Sequence, residues 1–129
     1  MSFYESLLAQ TQAERDYLLG APIIQQAMTG QVALRSYIAF LTEAYHHVKH
    51  TVPLLMACGA RLPERLEWLR EAIAEYIEEE TGHQEWVLND IAACGADKDA
   101  VRHGTPHMST ELMVAYVYDR IARHNPVSF

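Results

Sequence analysis

Glu80 and His83 stand three residues apart in the stretch Glu80-Thr81-Gly82-His83. Positions i and i+3 of a helix share a face, so both side chains can reach one point beside it. A Glu-x-x-His pair is half of the donor set of a carboxylate-bridged di-iron or di-manganese site in a helix bundle. The four-residue pattern alone is common by chance, and its surroundings give it weight. From Pro63 to about Ala93, Leu66, Leu69, Ile73, Tyr76, Val87 and Ile91 recur at steps of three or four, and Glu80 and His83 fill the gap in that stripe. The spacing therefore predicts that both sit where Leu or Val would be expected, while Glu78 and Glu79 turn to solvent. A buried, unpaired carboxylate is costly, so Glu80 requires a cation or a strong donor beside it. A metal ion meets that need, and so does a simple hydrogen bond to His83.

A second group of chemistry-bearing residues lies in Glu43-Ala44-Tyr45-His46-His47-Val48-Lys49-His50. On a helix Glu43, His47 and His50 share a face and His46 lies to one side. The main apolar stripe (Leu34, Ile38, Leu41, Tyr45, Val48 and Val52) runs roughly opposite. Three readings fit. Glu43 is a further metal carboxylate, in the order Glu then Glu-x-x-His; or His47 and His50, with Tyr45, line a substrate pocket or move protons; or the cluster is a polar, partly exposed face. His103, His107 and His124 lack ligand spacing and read as surface residues.

The elements that must position these groups are helical throughout. Helices are predicted over about 2–19, 22–29, 31–58, 63–94 and 109–124, giving one all-α domain over 1–129. Ser2-Phe3-Tyr4-Glu5 is a capping box, and Gly20-Ala21-Pro22 ends the first helix. Pro53 predicts a kink between His50 and Val52. The Gly95–Thr105 loop has room for one short turn. The last helix shows Met113, Tyr116, Val117 and Ile121 on one side. Asn125-Pro126-Val127-Ser128-Phe129 reads as a connection or the opening of another helix. That predicts the front part of a larger fold, or a fold completed by a second chain.

Composition narrows the partners. The 10 basic against 17 acidic residues give a net charge of −7, which argues against nucleic acid or an anionic membrane as partner. No apolar run approaches the ~20 residues of a membrane span, and no secretory leader is visible, so a cytoplasmic location is expected. Cys58 and Cys94, each beside a glycine and without C-x-x-C spacing, read as reduced, packed thiols.

The run Glu78-Glu79-Glu80-Thr81-Gly82-His83-Gln84-Glu85-Trp86-Val87-Leu88-Asn89-Asp90, followed by Ala93-Cys94-Gly95-Ala96, resembles the Glu-x-x-His helix of the heme-oxygenase-like di-iron oxidases and oxygenases. That superfamily also includes thiaminase II and pyrroloquinoline-quinone synthase. Tyr45 through Leu55 is similar to its pocket-lining second helix. The resemblance implies a heme-oxygenase-like helical bundle and an iron-dependent enzyme that activates dioxygen on a small organic substrate. It implies metal ligation by Glu80 and His83. The family's further Glu and its His-x-x-x-Asp-x-x-His helix have no counterpart, since Asp119 and His124 do not reproduce that spacing. The resemblance thus extends to the N-terminal portion of such a protein. Three other readings stay open: a ferritin-like dimer in which each chain gives Glu43, Glu80 and His83; a metal-free, thiaminase-like binder of a small molecule; and a helical subunit without an active site.

Overall fold

The structure is a computed structural model and describes residues 1–128; Phe129, the last residue of the expected connection, lies outside them. Helices alone carry the described residues: α1 (Phe3–Gln10), α2 (Gln12–Leu19), α3 (Pro22–Met28), α4 (Leu34–Val48), α5 (Thr51–Arg61), α6 (Glu67–Glu80), α7 (His83–Ala93), α8 (Lys98–His103) and α9 (Met108–Arg123). Short 3₁₀ turns precede α6 at Glu64–Leu66 and follow α9 at Pro126–Ser128. The fold class is all-α, as the sequence predicts. The chain divides into two compact units, Met1–Tyr37 and Ile38–Phe129, and the division falls within α4.

The first unit is held by local hydrogen bonds, since none of its residues is buried. The capping box forms: the Ser2 amide donates to the Glu5 carboxylate at 2.7 Å and the Glu5 amide to the Ser2 hydroxyl at 3.2 Å. The predicted helix over 2–19 is two helices. At the break the Thr11 hydroxyl donates to the Leu7 carbonyl at 2.8 Å, and the Arg15 guanidinium crosses it to the Leu8 carbonyl, also at 2.8 Å. A hydroxyl bonded back to the i−4 carbonyl offers the backbone an alternative to the helical ladder.

In the second unit both long predicted helices are also divided. The chain between α4 and α5 turns at Lys49 and His50. Pro53 thereby falls in the first turn of α5, where its missing N–H costs no helical bond. Between α6 and α7 it turns at Thr81 and Gly82, and Gly82 adopts φ +96°, a left-handed conformation that favours glycine. α7 then ends in a Schellman motif. Gly95 takes φ +81°, the Ala96 amide donates to the Ile91 carbonyl at 3.1 Å, and Ala96 packs in the same apolar cluster as Ile91.

Two groups of buried side chains fix these helices. Leu54, Leu55, Cys58 and Leu62 from α5 and its end pack with Ile73 of α6 and Ile121 of α9. Leu41 and Tyr45 of α4 pack with Leu88 and Ile91 of α7. Arg70 ties α6 to the end of α5, donating to the Gly59 carbonyl at 3.0 Å and the Leu62 carbonyl at 2.7 Å, which satisfies acceptors a helix end leaves open. The inward stripe keeps Val87 and Ile91 beyond the break at Gly82 and otherwise differs in part from the one the spacing predicts. Tyr76 is largely exposed and Ile77 packs inward in its place, while Leu88, outside that stripe, is fully buried. On α9 the inward side is Val114, Val117, Tyr118 and Ile121, and Met113 and Tyr116 face solvent. Leu34 is exposed, as are Trp68 and Trp86, for which helical position predicts core or rim packing.

Candidate functional site

Glu80 is the last residue of α6 and His83 the first of α7, so the pair spans a joint between two helices. The left-handed turn at Gly82 still brings them together: His83 Nδ1 and Glu80 Oε2 are 2.9 Å apart. Both side chains are half-buried, at 28% and 19% exposure. The His83 ring also stacks at a tilt on Trp86, with centroids 4.2 Å apart. With Nδ1–H donating to the carboxylate, the lone pair of His83 lies on Nε2. Glu80 Oε1 and His83 Nε2 carry no further hydrogen bond among the described residues.

α7 is in turn fixed to α8. Both terminal guanidinium nitrogens of Arg102, Nη1 and Nη2, donate to the Glu85 carboxylate at 2.7 Å, a bidentate pair. The Arg102 hydrogen bond holds the Glu85 carboxyl below the usual range and pushes the guanidinium up. These residues are seventeen apart with no local pattern, so sequence spacing gives no sign of the pair.

Glu43 does not join Glu80 and His83. Its carboxylate accepts from the His107 amide at 3.2 and 3.3 Å and from the Thr110 hydroxyl at 2.5 Å. It thus caps α9, whose own N-cap residue His107 has no side-chain cap bond. Burial would raise its pKa, but the Thr110 hydroxyl, the His107 amide and the nearby His107 and His46 imidazoles outweigh that, and the net is lower than usual. Among the described residues, no three His, Cys, Asp or Glu side chains gather where they could hold one ion.

The histidine cluster is sorted differently from the helical projection. His46, placed to one side by the spacing, is 2% exposed and is the one buried polar side chain among the described residues, whereas His47 is exposed. Tyr45 is buried in the apolar cluster beside Leu41. His50, in the α4–α5 turn, bonds through Nδ1 to the Tyr118 hydroxyl at 3.2 Å. His46, Lys49, His50 and Tyr118 face one cavity, which His47 and Tyr45 do not line. Burial and the Lys49 charge lower the pKa values of both His46 and His50. The sequence pattern gives Lys49 and Tyr118 no role; Tyr118 stands beside the apolar stripe of α9, and only the packing of α9 reveals its partner. His103, His107 and His124 are exposed. Cys58 and Cys94 are free thiols, buried and half-buried.

The architecture is the heme-oxygenase-like one. Over 98% of its length, at 28% identity and a TM-score of 0.82, the chain matches a domain of unknown function with a heme oxygenase-like fold from Shewanella denitrificans, of which it spans 55%. The chain belongs to the family of iron-containing redox enzymes, whose sequence profile matches residues 38–129. That match begins where the second compact unit begins. No curated protein matches the sequence. Among the described residues no helix is long and apolar enough to cross a membrane.

Proposed function

We propose that this chain contributes to an iron-dependent oxidoreductase that activates dioxygen on a small organic substrate, with Glu80 and His83 as two of the metal's ligands. The observation that carries this reading is the half-buried contact of 2.9 Å between them, at the turn between α6 and α7. A carboxylate oxygen and an imidazole nitrogen, with no thiolate beside them, suit ferrous iron and not a cysteine-bound structural zinc. Iron held there would supply the electrons that dioxygen needs.

The type of donor fits iron and the number does not. Two donors leave most of the coordination sphere open, and Glu43 is occupied at the start of α9. The remaining ligands therefore come from a second copy of the chain or from further polypeptide. Within this chain, the hydrogen bond keeps the His83 ring beside the Glu80 carboxylate, and a metal held by both side chains would displace the Nδ1 proton between them. Packing of Leu88 and Ile91 and the Arg102–Glu85 pair fix the helix from which His83 projects.

The same contact favours a second reading, a metal-free hydrogen bond that fastens the joint. Iron content separates the two. Protein made with iron is expected to carry metal that Glu80→Ala and His83→Ala each lose and Glu43→Gln keeps. Equal iron in all four would remove the metal reading. A ferritin-like dimer using Glu43 would instead lose its iron in Glu43→Gln. Burial pushes the Cys58 thiol up, opposite to what a nucleophilic cysteine needs.

A further inference from the structure

A cavity of about 360 Å³ opens between the end of α4, the α4–α5 turn and α9. Its charged feature is Lys49, which among the described residues has no carboxylate within ion-pair distance. The ammonium is nonetheless fixed in place. It stands 3.3 Å from His46 Nδ1 and 5.4 Å from the centre of the Tyr45 ring. A lysine can only donate, so His46 Nδ1 accepts and its proton sits on Nε2. The ammonium keeps further protons for an occupant.

The neighbouring groups add donors. Burial keeps the Tyr118 phenol protonated, and its hydroxyl lies 3.2 Å from His50 Nδ1. When that hydroxyl donates to the neutral ring, His50 carries its own proton on Nε2. Val114 and Ala115 of α9 supply an apolar wall. Of the nearby carboxylates, Glu43 is taken up by α9, and Glu111 is one of the residues lining the cavity. One ammonium with a carboxylate nearby suits a single negative charge. A phosphate dianion would meet Glu111 and find no arginine fork.

We propose that this cavity binds a small organic monocarboxylate, with its carboxylate on Lys49 and His50 and its apolar part against Val114 and Ala115. The proposal is independent of the iron reading, since neither Glu80 nor His83 lines the cavity. Benzoate is a suitable probe, titrated into the full chain while the histidine ring resonances are followed by NMR and the heat by calorimetry. Saturable binding is expected, with shifts at His46 and His50. The neutral amide, benzamide, should bind at least about tenfold more weakly, the scale of a charge-assisted hydrogen bond. Lys49→Met should lose affinity by a similar factor and Lys49→Arg should keep most of it, and the melting temperature of each variant shows that it is folded. Undiminished binding to Lys49→Met, equal binding of benzamide, or displacement of benzoate by inorganic phosphate would each overturn the proposal. Should Lys49→Met not fold, benzamide and phosphate still decide.

Discussion

Replacing Glu43 tests whether that carboxylate serves the fold. It receives the His107 amide and the Thr110 hydroxyl at the start of α9, and 27% of its side chain is exposed. Loss of an N-cap acceptor costs about 1 kcal/mol. Loss of a negative charge at a helix N-terminus adds about 0.5 kcal/mol. A Thr110 hydroxyl left without its acceptor adds about 1 kcal/mol more. Glu43→Ala should therefore destabilise by roughly 2–3 kcal/mol, and Glu43→Gln, which still accepts hydrogen bonds, by about 1 kcal/mol. With a urea slope of about 1.5 kcal/mol/M, the alanine variant should lose about 1.5 M in its unfolding midpoint. Trp68 and Trp86 both lie in the second unit, so tryptophan emission reports that unit directly. Thr110→Val closes a double-mutant cycle, in which the two losses should fall short of adding by about 0.5 kcal/mol or more. An unchanged midpoint in Glu43→Ala, or strictly additive losses, would refute the capping role.

The other predictions use the same urea titration. Gly82→Ala should cost about 1–2 kcal/mol through backbone strain alone, because φ is +96° and nothing lies within 4 Å of the added Cβ; a neutral result would mean that the joint is not left-handed in solution. Leu88→Ala, at a fully buried position, should cost about 2–5 kcal/mol, while Met113→Ala, 47% exposed, should be nearly silent. Equal costs would restore the stripe predicted from sequence. His46 and His50 have lowered pKa values in the folded chain, so the unfolded chain takes up their protons first as pH falls. Their contribution is complete above about pH 6.5 and is lost on acidification below it. The lowered Glu43 pKa adds a second loss below about pH 4.5. Stability that is flat or rising between pH 7 and 5.5 would contradict the histidine part.

The helical content was legible because apolar residues recur at three and four. The places where the helices divide were less so. Pro53 marks its break, whereas Gly82 reads as a tolerated glycine inside Glu80-Thr81-Gly82-His83, and its positive φ emerges only in three dimensions. Leu66, Leu69 and Ile73 before that turn and Val87 and Ile91 after it follow the predicted stripe, whereas Tyr76 and Leu88 do not, because the neighbouring helices and not the spacing set which side chains are covered. The Glu80–His83 contact survives the break because the turn is short. The role of Glu43 stayed open for a different reason: its partner, the start of α9, is more than sixty residues away, and no local pattern records it. His46 and His47 show the limit of a helical wheel, which gives the direction of a side chain and not which neighbouring helix lies in that direction.

The turn at Gly82 makes the distance between Glu80 and His83 a measure of the angle between two rods. Each donor is carried by its own helix, and Arg102 and Glu85 join the second rod to α8. Any cation that engaged both donors would draw free energy from a narrow range of that angle, and by linkage whatever stiffened the hinge would tighten the grip on the ion. The amides of Thr81 and Gly82 sit at the pivot. Their exchange with solvent deuterium should slow when the ion is present and quicken when Arg102 is removed.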